Sequence, residues 1–474
     1  MSTPGQELGS QVDPRIAEAA EEDASDDGRP MLSVYVEPEV PQPFLIDDEP
    51  DGSASPSSAR PISPTNMNLA SPLLASPSLP SPNLNKDVPP PPSESDGEEE
   101  AHDVYLPELV IPTMFLPIPN TDPLTTLLTK YIHPPDKRPV RDLSGEWQNS
   151  SFHSLVMTNS WRALARMARD RIVTTDPQDL ALVLGLWYLR LACLSRLRLF
   201  NQTSAECTNL FSILNGIEPP EAKAWVFDRV LPFELEVMQA RLKYWAGDHM
   251  GYLDALNLLL KKCRSKACSV SDDVNVGMWK ERGARLCLII ASQMMEMKDF
   301  GAAGKLLEPL CDHRDPSEKS PALRSAIGRI YLQGGYLSRA TTHFAAVDAD
   351  PNADQSLKDM NKALLASANG QWKFAGDTLR SVLEKDPENY VAVNNLSVAL
   401  LSQGKLKDGI EALERALKTS PSSVVVAEPF LFNLSTLYEL RSATATEKKL
   451  NLLVEVAKWS GDGLKTTCLK MPSN

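Results

Sequence analysis

The sequence predicts an all-α fold, a solenoid of stacked helical hairpins preceded by a disordered acidic tail. Three observations predict it. Residues 370–387 read GQWKFAGDTLRSVLEKDP, and 34 positions later residues 404–421 read GKLKDGIEALERALKTSP. From about residue 151 onward, apolar residues recur at three- and four-residue spacing, with no convincing run of strand-like alternation. The charge is segregated as well: residues 1–104 hold 21 acidic and four basic residues, a net −17 in a chain of net −14. The remaining body is therefore close to neutral. It offers no clustered Lys/Arg of the kind that phosphate contacts with nucleic acid require.

The tail, residues 1–104, combines proline, serine and acid with few aromatics, and cannot bury enough apolar area to offset chain entropy. Ser55, Ser63, Ser71, Ser76 and Ser81 each precede a proline. On an exposed chain they are candidate sites for proline-directed kinases, or else low-complexity bias. Next, residues 105–120 carry YLPELVIPTMFLPIP, whose four prolines exclude a helix and whose apolar residues are almost uninterrupted. An extended docking strip is expected, lying in a groove of its own domain or of a partner. Asp122 followed by Pro123 signals a helix start: cap first, proline at the first helical position. Residues 121–279 then read as divergent helical hairpins, among them a pair around Trp187 and Leu210 and another at 235–263.

The region 280–460 repeats. SAIGRIYLQGGYLSRATTHFAAVDADP at 325–351 supplies Gly328, Tyr331, Gly335, Ala340 and Phe344. The 370–387 unit supplies Gly370, Ala375, Leu379 and Pro387, and the 404–421 unit Gly404, Gly409, Leu413 and Pro421. These positions resemble the tetratricopeptide repeat, a 34-residue helix–turn–helix unit. Small residues sit where the two helices of a hairpin cross closely, and large ones fill the layer between hairpins. The glycines end first helices in a left-handed conformation, and Pro387 and Pro421 end second helices. Residues 461–474 form a C-terminal tail.

Stacked hairpins present a concave face lined by first helices, which is a protein-binding architecture. The residues expected to face that groove are Leu288, Ser292, Met295, Arg329, Leu332, Gln333, Met360, Leu364, Asn394, Val398 and Leu401. They are mainly apolar with a single cation. That is unlike the Lys/Arg-rich clamps that hold chaperone tails, and it suits a helix or an extended apolar peptide.

There is no Gly-Lys-Ser/Thr phosphate loop and no G-x-S-x-G elbow. Cys263 and Cys268 have no second close pair to complete a zinc site, and the six histidines (102, 133, 153, 249, 313, 343) are scattered. No enzyme, metal or cofactor is expected. The seven cysteines and the polar opening MSTPGQELGSQVDPR point to reduced thiols in a cytosolic protein. No apolar run reaches the ~20 residues of a membrane span, so membrane contact is expected to be peripheral. The Asn-x-Ser tripeptides at Asn395 and Asn433 are then chance matches.

PTMFLPIPNTDPLTTLLTKYI (112–132) and SFHSLVMTNSWRALARMARDRIV (151–173) are more distinctive than the repeats, as are LFNLSTLYEL (431–440) and TTCLK (466–470). Together they resemble the twelfth-subunit family of the transport protein particle (TRAPP) complexes. The resemblance covers about residues 105–474. It implies a non-catalytic scaffold in a TRAPP III assembly, which tethers vesicles and activates a Rab GTPase by nucleotide exchange in endoplasmic-reticulum-to-Golgi transport and autophagy. Implied partners are other large subunits and, through them, the core exchange subunits and the Rab. The implied location is cytoplasmic, peripheral at the intermediate compartment and Golgi. The alternative is an unrelated tetratricopeptide-repeat adaptor of a co-chaperone or ubiquitin pathway.

Overall fold

The first helix, α1 (Pro123–Tyr131), begins at the Asp-Pro pair. The Asp122 carboxylate accepts from the Leu124 and Thr125 N–H groups, and Pro123 occupies the first helical position, where its missing N–H costs nothing. Burial raises the Asp122 pKa, but hydrogen bonds from Arg141 and Thr125 outweigh it and hold the carboxyl below its usual value.

The computed structural model describes residues 104–141, 147–148, 150–269, 273–311, 320–441 and 443–471. The acidic tail up to residue 103, with Ser55, Ser63, Ser71, Ser76 and Ser81, lies outside the described residues. After α1 come α2 (Phe152–Met157), α3 (Trp161–Thr174), α4 (Leu180–Arg196), α5 (Phe200–Asn215), α6 (Pro220–Trp225), α7 (Phe233–Trp245), α8 (His249–Ser269), α9 (Asp273–Glu296) and α10 (Phe300–Cys311). They are followed by α11 (Pro321–Gln333), α12 (Leu337–Ala349), α13 (Gln355–Ala368), α14 (Trp372–Lys385), α15 (Tyr390–Ser402), α16 (Leu406–Thr419), α17 (Pro421–Val424), α18 (Glu428–Leu440) and α19 (Ala445–Trp459). No strand occurs among the described residues. Second helices pack on the first helix of the next hairpin: α10 on α11, α12 on α13, α14 on α15, and α16 on α18. The fold is the solenoid of tetratricopeptide-type hairpins that the repeat predicts.

One turn recurs throughout. Asn159, Arg198, Gly247, Lys298, Gly335, Gly370 and Gly404 have φ of 55, 59, 84, 64, 77, 74 and 76°. The residue after each donates its N–H to the carbonyl five positions back, at 2.8–3.0 Å, as Tyr336 does to Tyr331 and Lys405 to Leu400. This double-bonded ending satisfies carbonyls left open at the helix terminus and then launches the second helix. The intervals between these turns are 39, 49, 51, 37, 35 and 34 residues, so the strict period holds only at the C-terminal end.

Three details differ from the sequence expectation. The strip is not fully extended: Pro107–Val110 and Pro112–Met114 are short 3-10 turns, each opened by a proline whose fixed φ suits the first position. Pro387 and Pro421 follow the ends of α14 and α16 as expected, but Pro421 also starts α17. The C-terminal segment is packed rather than trailing, because Thr466–Leu469 forms a 3-10 turn with Leu464, Cys468 and Leu469 buried.

Candidate protein-binding surfaces

Gly328, Tyr331, Ala340, Phe344, Ala375, Leu379, Gly409 and Leu413 lie between helices, while Gly335, Gly370 and Gly404 stand at the turns. A Cβ added to Gly328 would stand 2.5 Å from the Phe344 ring, and one on Gly409 would stand 3.1 Å from the Ser397 carbonyl oxygen. Tyr331, Ala340, Phe344, Ala375, Leu379 and Leu413 are buried. The Tyr331 hydroxyl donates to Glu308 at 2.6 Å, so its polar tip is satisfied while the ring packs.

The inner face is tighter than the sequence suggests. Met360, Leu364, Asn394 and Val398 are buried, so these four offer no surface to a ligand. The cause is direct packing of neighbouring first helices, stitched by polar contacts. Ser325 donates to Asn361 at 2.7 Å, Asn433 to Asn394 at 3.0 Å, and the Asn395 amide reaches Met360 Sδ at 3.7 Å. Leu288, Ser292, Met295, Arg329, Leu332 and Leu401 are half-buried, and Gln333 is exposed. The accessible part of the inner face thus lies mostly on α9 and α11. Asn395 and Asn433, the two tripeptide asparagines, are also buried.

A second surface was not anticipated. At the hairpin tips, Met297, Tyr336, Leu337 and Phe374 are 46, 49, 39 and 57% exposed. Adjacent tips touch: a Cβ on Gly334 would meet Phe300 Cβ at 2.7 Å, and the Gln403 amide donates to the Trp372 carbonyl at 2.9 Å. A shallow depression of about 600 Å³ lies here, lined by Gln371, Trp372, Phe374 and Gln403 among others. The available signal was positional, because each of these apolar residues lies within four positions of a left-handed turn residue.

The strip at 105–120 is seated on the chain's own helices α3–α5. Leu109 and Phe115 are buried, and Phe115 stacks on Trp187 with centroids 4.7 Å apart. Main-chain groups supply the register. Trp187 Nε1–H donates to the Leu109 carbonyl at 3.0 Å, Arg190 Nη2 donates to the Leu116 carbonyl at 3.0 Å, and the Leu116 N–H donates to Glu206 at 2.8 Å. Arg190 and Glu206 are themselves a fully buried pair at 2.7 Å.

Six of the seven cysteines are buried and Cys268 is exposed. Burial pushes the Cys263 thiol up to about 11 and the Cys207 and Cys468 thiols up to about 12, which suppresses the reactive thiolate. Iodoacetamide under native conditions is therefore expected to modify one thiol per chain, at Cys268, read by peptide mass spectrometry. Equally fast labelling of a second cysteine would show that the helices around it open.

Among the described residues, no group of three or more His, Cys, Asp or Glu is placed to hold a metal ion, and no helix is long and apolar enough to cross a membrane. No family profile matches the chain. A solved structure of MamA residues 41 to the end from Desulfovibrio magneticus RS-1 is 22% identical, covering 36% of this chain and 94% of its own, with a TM-score of 0.27. A MamA double mutant gives the same TM-score at 20% identity, covering 37% of this chain and 94% of its own. Similarity this partial carries no argument. The curated relatives are more informative. Trafficking protein particle complex subunit 12 from Mus musculus is 28% identical over 375 residues, covering 71% of this chain and 46% of that protein. The Homo sapiens protein of the same name is 28% identical over 356 residues, covering 67% and 47%. The chain spans about half the length of these relatives. Its sequence, over roughly two thirds of its length, is thus similar to the subunit 12 family of the trafficking protein particle complexes, as the motifs at 112–132 and 151–173 indicate.

Proposed function

We propose that the chain is a non-catalytic scaffold and adaptor subunit of a TRAPP III-like assembly, which tethers vesicles and exchanges nucleotide on a Rab GTPase. The observation that carries this reading is the similarity to two curated subunit 12 proteins over 375 and 356 residues. On it rest the finer elements: action in endoplasmic-reticulum-to-Golgi transport and autophagy, contact with other large subunits, and peripheral residence at intermediate-compartment and Golgi membranes. The exposed aromatic tips favour docking by that edge over docking by the narrowed inner face, since solvent-exposed aromatics are the residue type that anchors interfaces.

Affinity purification of the tagged full chain tests both levels. Core TRAPP subunits are expected to co-purify, and their absence sinks the assignment. Recovery of a chaperone or ubiquitin-pathway complex instead would favour the unrelated adaptor. Tyr336→Asp with Phe374→Asp is expected to weaken recovery about 30-fold, the equivalent of ~2 kcal/mol for a pair of hot-spot residues. Gln333→Asp on the inner face is expected to leave it near wild type. The opposite pattern moves the docking surface to the groove.

A further inference from the structure

Repeat solenoids touch only their sequence neighbours, which leaves their two ends apart. In this chain the ends meet. Arg141 donates through Nη1 to the carbonyls of Ala457 and Ser460 at 2.6 and 2.7 Å, and through Nη2 to that of Gly461 at 3.0 Å. Its Nε–H pairs at 2.5 Å with Asp122, the cap of α1, and the side chains of both are almost wholly buried. One guanidinium therefore ties the start of the first helix to the end of the last.

A second bond lies beside it. The Asp462 carboxylate pairs with Arg162 at 3.5 Å and accepts that residue's backbone N–H, while the Arg162 side chain also donates to the Thr121 carbonyl. The Gly461 N–H donates to the Thr158 carbonyl at 2.5 Å. The approach is close enough to require glycine: a Cβ on Gly461 would stand 2.4 Å from the Thr158 and Asn159 carbonyl oxygens, and one on Gly463 would stand 2.2 Å from the Trp161 ring. Around these polar bonds α1 packs on α19, with Leu124 and Leu128 inside the C-terminal apolar cluster.

We propose that Arg141 is the central residue of a latch that joins the two ends of the hairpin array, so that 121–131 and 457–470 open and close as one unit. The joint works across a sequence separation of more than 300 residues. It adds charged donors on main-chain carbonyls to the apolar contact of α1 with α19, whereas the hairpins are held to one another by apolar layers and a few neutral polar contacts. Opening the joint exposes both terminal segments together and leaves the central repeats packed.

Hydrogen exchange by mass spectrometry on the full chain tests it. In the wild type, amides of 121–131 and 457–470 are expected to exchange at a common rate. Arg141→Ala is expected to speed exchange in both segments by about tenfold or more, since charge-assisted bonds are lost from a buried site. Exchange in α11–α14 is expected to stay unchanged. Arg141→Lys, which keeps the charge but not the forked donors, is expected to behave like the alanine variant. Gly463→Ala attacks the joint from its other side, and is expected to loosen the same two segments together. Circular dichroism at wild-type helicity confirms that each variant folds. Faster exchange at one segment alone, or no change in Arg141→Ala and Gly463→Ala, overturns the latch.

Discussion

Replacing Arg190 with methionine is expected to lower the unfolding free energy by about 3–5 kcal/mol, the range found when one partner of a buried ion pair is removed. The side chains of Arg190 and Glu206 are each 1% exposed. Two guanidinium nitrogens reach the carboxylate at 2.7 and 3.0 Å, and the rest of the fork is spent on the carbonyls of Ala165 and Leu116. Methionine fills the volume but leaves a buried carboxylate held by the Leu116 N–H alone. Arg190→Met combined with Glu206→Leu removes the stranded charge and is expected to recover part of the loss. It does not recover all of it, because the Leu116 N–H and carbonyl then lack partners, at a cost of ~1–3 kcal/mol. The guanidinium midpoint at unchanged slope reads both numbers. Limited proteolysis within 105–120 should accelerate in the single variant, since the strip loses its polar anchors. A single variant within ~1 kcal/mol of wild type would remove the pair from any structural role.

The second large effect concerns the repeat itself. Gly328 on α11 faces Phe344 on α12, and an added Cβ would stand 2.5 Å from the ring and 3.3 Å from His343 Cβ. Gly328→Ala is expected to cost about 1–3 kcal/mol by overpacking. Phe344→Ala, at a site only 6% exposed, is expected to cost ~3–5 kcal/mol by leaving a cavity. The informative variant is Gly328→Ala with Phe344→Leu. The smaller side chain makes room for the methyl, so the double variant should be more stable than the sum of the singles predicts, by roughly 0.5–3 kcal/mol. Strict additivity in denaturant titrations would mean that the two residues do not share one packing site.

The hairpins with glycine at the turn and a spacing of 34–35 residues were legible, because a single residue type marks the left-handed position. Upstream, Asn159, Arg198 and Lys298 adopt the same conformation without that marker, and the spacing stretches to 39, 49 and 51 residues. The turn is conserved in shape while its sequence signal fades. The burial of four inner-face residues was not legible, for a different reason. Position along a helix predicts which way Met360, Leu364, Asn394 and Val398 project, but their exposure depends on how closely the neighbouring first helix approaches, and that helix lies a full repeat away. The strip declared itself as apolar and proline-rich, while its seat depends on Trp187, Arg190 and Glu206, which periodicity alone reads as ordinary helix residues. The junction at Arg141 was invisible for the same reason carried further, since its partners stand more than 300 positions away.

Open solenoids change size by duplicating a unit, since a new hairpin needs only two neighbours that already exist. A chain whose last helix must return to its first has no such freedom. Inserting or deleting one hairpin anywhere between α3 and α18 would carry Gly461 and Gly463 away from Thr158 and Trp161, whose contacts tolerate no added methyl group. The joint at Arg141 therefore counts the units, and lineages carrying it should vary in loop length and in outlying segments while holding the number of hairpins constant.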